Sequence, residues 1–186
     1  MPHWKEDQLQ QLIAETNEQR MFDTAASLTR QLGMKYFSFV TRSYVATQKS
    51  QVSFTSNYPE KWTKHYESRN YLSIDPVMAH CHNSLLPILW EKEVFRETPQ
   101  FWEEAKSHGL CFGWSQSAHD QRHNESVLSV VRSHEEVSLT EFFNTAGQTI
   151  WLCNLMHTLI LERRLNRAEP EIKLTARETE VLKWSA

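Results

Sequence analysis

The 186-residue sequence has no apolar run approaching the roughly 18 residues that span a bilayer, so it offers no candidate membrane helix and no membrane partner is expected. A secretory leader is missing too. The N-terminus reads Met1-Pro-His-Trp-Lys-Glu-Asp7, without a basic stretch followed by an apolar one. Cysteine is scarce: Cys81, Cys111 and Cys153 are odd in number and far apart. That spacing argues against a disulfide framework and suits a reducing cytoplasm, the expected location. Charge of one sign is lacking as well. Lys and Arg number 20 against 23 Asp and Glu, interspersed, for a net charge of −3. Nothing in that balance marks a nucleic-acid-binding surface. Neither a Gly-x-Ser-x-Gly turn nor a His-x-His-x-Asp run is present, and no internal repeat stands out. The His80-Cys81-His82 triplet does not supply a metal site, because successive helical residues diverge by about 100°. Surface histidines around a core cysteine are the expected arrangement, and no metal or cofactor is expected.

Tryptophan, by contrast, is abundant. Seven in a chain of this length exceed ordinary core filling and point to an aromatic-lined pocket. From Glu6 to Leu32 the pattern is helical in two apolar stripes, closed by Gly33. Tyr36–Thr41 and Gln51–Thr55 read as strands, joined by a polar connection, 43–50. Pro59 suits a first helical position, and Asp75-Pro76 is an N-cap followed by proline, opening a helix through His82. Pro87–Trp90, Phe112–Ala118 and Ser126–Arg132 read as further strands, with a helix over Pro99–His108 stopped by Gly109. Ser138 and Glu141 form a capping box for a long helix to Leu165. Short strands and helices without regular βαβ alternation predict an α+β fold, an antiparallel sheet between helical layers. The long helix is broadly apolar, through Phe142, Phe143, Ala146, Ile150, Cys153, Met156, Leu159 and Ile160. It suits core packing or a homodimer seam over 138–165 equally well.

Three domain-level segments are expected: a domain over 1–165, a polar linker over 166–173 containing Pro170, and the opening of a further domain over 174–186. Thr175 and Glu178 make a capping box there, ahead of Val181, Leu182 and Trp184.

Tyr58, Trp62 and Tyr66 recur every four residues, which would stack three rings with polar tips on one helical face. Asp75 follows at a helix start. An aromatic stripe at this spacing is more often core than pocket, yet ring donors and a carboxylate around an apolar site also suit a small amphiphile. The motifs Asn57-Tyr-Pro-Glu-Lys-Trp62, Tyr71-Leu-Ser-Ile-Asp-Pro76, Trp90, Phe101-Trp102 and His108-Gly-Leu-Cys-Phe-Gly113 resemble the autoinducer-binding domain of LuxR-type quorum-sensing receptors. Phe37-Ser-Phe39 and Ser126–Ser133 are most similar to the QscR-type branch, and 174–184 resembles the start of the family's helix-turn-helix domain. The resemblance implies a five-stranded antiparallel sheet flanked by helices on both faces, an α-β-α sandwich enclosing an N-acyl-homoserine lactone. It also implies that Trp62 donates to the lactone carbonyl, and that Asp75 accepts from the ligand amide. Tyr58 and Ser129 would meet the amide carbonyl, and Ser38 a 3-oxo group. Tyr66, Met78, Trp90, Phe101, Leu110 and Val131 would line the ring and acyl chain. DNA would be contacted only through the domain begun at 174–186.

Two other readings compete. A chain ending at Ala186 could act as an anti-activator that pairs with a longer partner, and the pocket could belong to a lactone hydrolase, although no hydrolase motif is present. Glu125 is the least expected residue, hard to bury unpaired beside a lipid tail. It should face solvent, or the tail should be short or carry a polar end.

Overall fold

The computed structural model describes residues 4–43, 51–168 and 177; all but the first residue of the expected connection 43–50, the expected linker from 169 on and, Arg177 apart, the expected start of a further domain lie outside them. Among the described residues, α1 (Glu6–Ala14) and α2 (Glu18–Gln31) are separate helices. Asn17 divides them by capping α2, its side chain accepting from the Arg20 N–H. The strands are β1 (Tyr36–Ser43), β2 (Gln51–Ser56), β3 (Ile88–Leu89), β4 (Phe112–His119) and β5 (Glu125–Arg132). They form one antiparallel sheet in the order β2-β1-β5-β4-β3. Helices α3 (Glu60–Ser68), α4 (Pro76–Asn83) and α5 (Pro99–Ser107) cover one face, and α6 (Leu139–Ala168) packs on the other with α1 and α2.

Strand alternation splits the hydrophobic core in two. Phe37, Phe39, Leu128, Val130 and Trp114 point toward α2 and α6, where Leu152, Met156 and Ile160 meet them. Val40, Val127 and Val131 point the other way, toward Trp62, Tyr71, Phe95, Phe101 and Trp102. The register places Ser38, Ser129 and Ser115 in one row across β1, β5 and β4 on that second face. A polar row in an apolar core marks where the sheet has business other than packing.

Helix α6 runs three residues past the expected boundary, to Ala168. Asn166-Arg-Ala168 contains neither proline nor glycine, so nothing in those three residues stops the helix at Leu165. Its start is capped by Ser138, whose hydroxyl accepts from the Glu141 N–H at 3.1 Å. The other half of the capping box is spent elsewhere, since the Glu141 carboxylate takes two bonds from Arg132. Phe142, Ala146, Cys153, Met156 and Ile160 are buried, whereas Leu139, Phe143, Ile150 and Trp151 on the same helix are exposed. Near its far end, Arg164 donates to Thr41 Oγ1 at 3.0 Å, Ser53 Oγ at 2.8 Å and Glu18 Oε2 at 3.0 Å. One side chain thereby fastens α6 to β1, β2 and α2.

Candidate functional site

The connection between β2 and α3 sets the first functional side chain. Asn57 is clipped to β1: its side chain accepts from the Phe37 N–H at 2.7 Å, and its backbone N–H donates to the Phe37 carbonyl at 3.1 Å. Pro59 then serves as the N-cap, not the first helical residue, with extended ψ of 131°. Tyr58 is therefore not on the helical face that its spacing suggested. It stands one residue before the N-cap, its ring edge-on to Tyr36 and Phe54. Trp62 and Tyr66 do share a face of α3.

All three rings meet Asp75 at one cavity between α3, α4, α5 and the sheet. Asp75 caps α4, with Oδ1 accepting from the Val77 N–H at 2.9 Å, while Oδ2 accepts from the Tyr66 hydroxyl at 2.9 Å. Burial raises its pKa to about 6, and these hydrogen bonds offset only part of that rise. The Tyr58 hydroxyl is buried and has no hydrogen-bond partner. Burial pushes it well above the ordinary phenol range; the nearby hydroxyls of Ser38 and Ser129 offset part of the shift, and Asp75 adds to it. The Trp62 side chain is buried on the same wall, packed on Phe101, Tyr66 and His108.

Behind Ser129 runs a short relay. The Trp90 indole N–H donates to Ser115 Oγ at 3.0 Å, and Ser115 and Ser129 share a hydrogen bond of 2.7 Å. Either hydroxyl can donate in that pair; when Ser115 does, the Ser129 O–H is left for the cavity. Gly109, at φ 83°, closes α5 and turns Leu110 into the same space. Gly113 is required by close approach, because a Cβ there would lie 2.1 Å from the Val130 carbonyl.

The cavity measures about 40 Å³ and brings together Ser38, Tyr58, Trp62, Tyr66, Asp75, Met78, Trp90, Phe101, Leu110 and Ser129. Val131 belongs to the surrounding core but not to the cavity wall. Trp102, part of the Phe101-Trp102 motif, also lines it, as do Val40, Phe54, Val77, Phe95 and Ala105, which carried no signal of their own in the sequence beyond being apolar. No histidine, cysteine or lysine is on the wall. Behind Trp62, the Glu104 carboxylate accepts from the Tyr71 hydroxyl at 2.5 Å and bonds His65 Nε2 at 2.6 Å, with Gln100 on its other oxygen. Those bonds hold its pKa down to about 2 and tie α5 to α3.

Glu125 corrects the sequence reading. It neither faces solvent nor stands alone: it is buried, with Arg42 Nη1 at 2.8 Å and His82 Nδ1 at 2.6 Å. His80-Cys81-His82 also resolves as expected of a helix, with Cys81 in the core and His82 exposed. Among the described residues no metal-holding cluster occurs, and no helix is long and apolar enough to cross a membrane.

Comparison with known proteins places this geometry. The profile described as the autoinducer binding domain matches residues 17–160. The chain is 31% identical to the transcriptional activator protein AnoR of Acinetobacter nosocomialis, covering 100% of this chain and 80% of AnoR. The fold is shared with CepR2 of Burkholderia cenocepacia, an N-acylhomoserine-lactone-dependent LuxR family factor, at a TM-score of 0.76 and 22% identity over 88% of this chain and 95% of that one. SdiA of Escherichia coli in complex with octanoyl-rac-glycerol matches at a TM-score of 0.76 and 28% identity, over 96% of this chain and 74% of that one.

Proposed function

The chain belongs to the autoinducer-binding domain family of LuxR-type regulators, and on that premise we propose that it is a receptor for an N-acyl-homoserine lactone held in the cavity beneath α3. The observation that supports this most is the buried Tyr58 hydroxyl, a donor without a partner beside Asp75, an acceptor, and Trp62, an indole donor. An orphaned buried hydroxyl costs about 1–3 kcal/mol, which a ligand carbonyl would return. Trp62 donates to the lactone carbonyl, Tyr58 and Ser129 donate to the amide carbonyl, and Asp75 accepts from the amide N–H. Ser38, on the cavity wall, would meet a 3-oxo group. The aromatic wall takes the ring and the first part of the tail, each buried methylene contributing roughly 0.8 kcal/mol.

The same wall argues against hydrolysis. Asp75 already accepts two hydrogen bonds, and no histidine faces the cavity to activate water. The domain acts as a binding module whose ligand alters the regulator as a whole, and DNA contact belongs to the longer regulator. The exposed stripe of Leu139, Phe143, Ile150 and Trp151 is the surface for a second copy, packed across a two-fold axis. Gly147 lies in that stripe with open space around it, so Gly147→Leu and Phe143→Glu alter the seam without touching the core. Both should shift sedimentation toward monomer; an unchanged dimer would remove α6 from the interface. For the ligand, calorimetric titration with acyl-homoserine lactones should give saturable binding that Asp75→Ala abolishes and Tyr58→Phe weakens by about fivefold. Binding that survives Asp75→Ala intact would overturn the pose.

A further inference from the structure

A second void adjoins the first. The cavity of about 40 Å³ holds the polar groups, and a cleft of about 280 Å³ lies between β2 and α3, lined by Val52, Thr63, Glu67, Asn70 and Leu72. Val40, Phe54 and Tyr66 line both. The rings of Phe54 and Tyr66 are stacked, with centroids 6.2 Å apart and planes 14° from parallel. They form a partition one ring pair thick. Elsewhere on the wall Phe95 and Trp102 are stacked at 4.1 Å, whereas the Phe54–Tyr66 pair is backed by a further void, so a tail that outgrows the cavity finds room toward the partition.

The two leaves of the partition are held differently. The Tyr66 hydroxyl donates to Asp75, and turning that ring aside would break the bond. Phe54 has no polar atom. It sits on β2, which among the described residues is an edge strand pairing with β1 alone, and it is only partly buried. Tyr66 is the fixed leaf and Phe54 the one that can turn.

We propose that Phe54 determines which tail lengths this receptor accepts. This rests on the lactone reading above. Short tails end against the ring, whereas longer ones must turn it aside to enter the outer cleft. There Val40, Val52 and Leu72 meet the methylenes, and Thr63, Glu67 and Asn70 form a polar mouth that discourages tails long enough to protrude.

The test is calorimetric titration of the unaltered protein and three variants with hexanoyl- and dodecanoyl-homoserine lactone. Phe54→Ala should join the two voids and shift the ratio of dissociation constants toward the dodecanoyl ligand by about tenfold. Phe54→Trp should shift it the other way. Tyr66→Phe, which keeps the stack but loses the bond to Asp75, should weaken both ligands alike and leave the ratio unchanged. Should Phe54→Ala fold poorly, Phe54→Leu is expected to move the ratio in the same direction by less. If the Phe54 variants bind both ligands with the ratio of the unaltered protein, Phe54 is not the selector. If the unaltered protein binds neither lactone, the lactone reading fails, and this one with it.

Discussion

Asp75 carries two roles in one carboxylate, capping α4 and receiving Tyr66, and the cost of burying it shows in its pKa of about 6. The fold favours its protonated form. Its contribution to unliganded stability is therefore present below the ordinary carboxylate pKa and is lost as pH rises through about 6. A ligand amide N–H reverses this preference, since it is a donor that favours the ionised form. Lactone affinity should then tighten by about tenfold between pH 5 and pH 7, and Asp75→Asn should bind more weakly with a flat profile. Titration calorimetry across that range checks both. At this scale the sequence was informative where a residue carries chemistry. Trp62, Tyr58 and Asp75 stood out as polar-tipped rings and a capping carboxylate. Phe54 and Phe95 did not, because an apolar side chain looks the same whether it fills a core or walls a site. Only the fold, bringing β2 against α3, distinguishes them.

Elements show a different kind of blindness. Strands and helices were legible from alternation, capping pairs and Gly109, but Glu125 was not. Its partners are 43 residues away in α4, at His82, and still farther along the chain in β1, at Arg42. No local pattern announces such an ion group. It locks the start of β5 to β1 and to the end of the helix that Asp75 begins. Arg42 is about a quarter exposed, which screens the pair in part, so Arg42→Ala should cost about 2 kcal/mol by leaving Glu125 with His82 alone. Arg42→Lys should recover some of that loss, and urea unfolding measures both. Helix α6 was legible as broadly apolar but not as two-sided. Leu152 and Met156 face the sheet while Phe143 faces outward, a division set by where the sheet lies.

For the whole molecule, the layered α+β design was readable from the mixture of elements, whereas the division of the core into two faces required the strand register. The cavity proposed for the ligand sits inside one of those two cores, so filling it would complete that layer. A lactone at about a hundred times its dissociation constant should add roughly 2.7 kcal/mol and raise the melting temperature by about 5–10 °C. Differential scanning fluorimetry with and without ligand checks it; a ligand that binds by calorimetry yet leaves the melting point unmoved would place its site elsewhere. Arg164 bears on where the domain can be cut. The family match ends at residue 160, and a fragment designed to that limit would discard the cation that joins Thr41, Ser53 and Glu18. Such a fragment should melt about 5 °C below one ending at Ala168. The smallest faithful unit for crystallisation or labelling is thus longer than the matched region, and its edge is marked by an arginine fork.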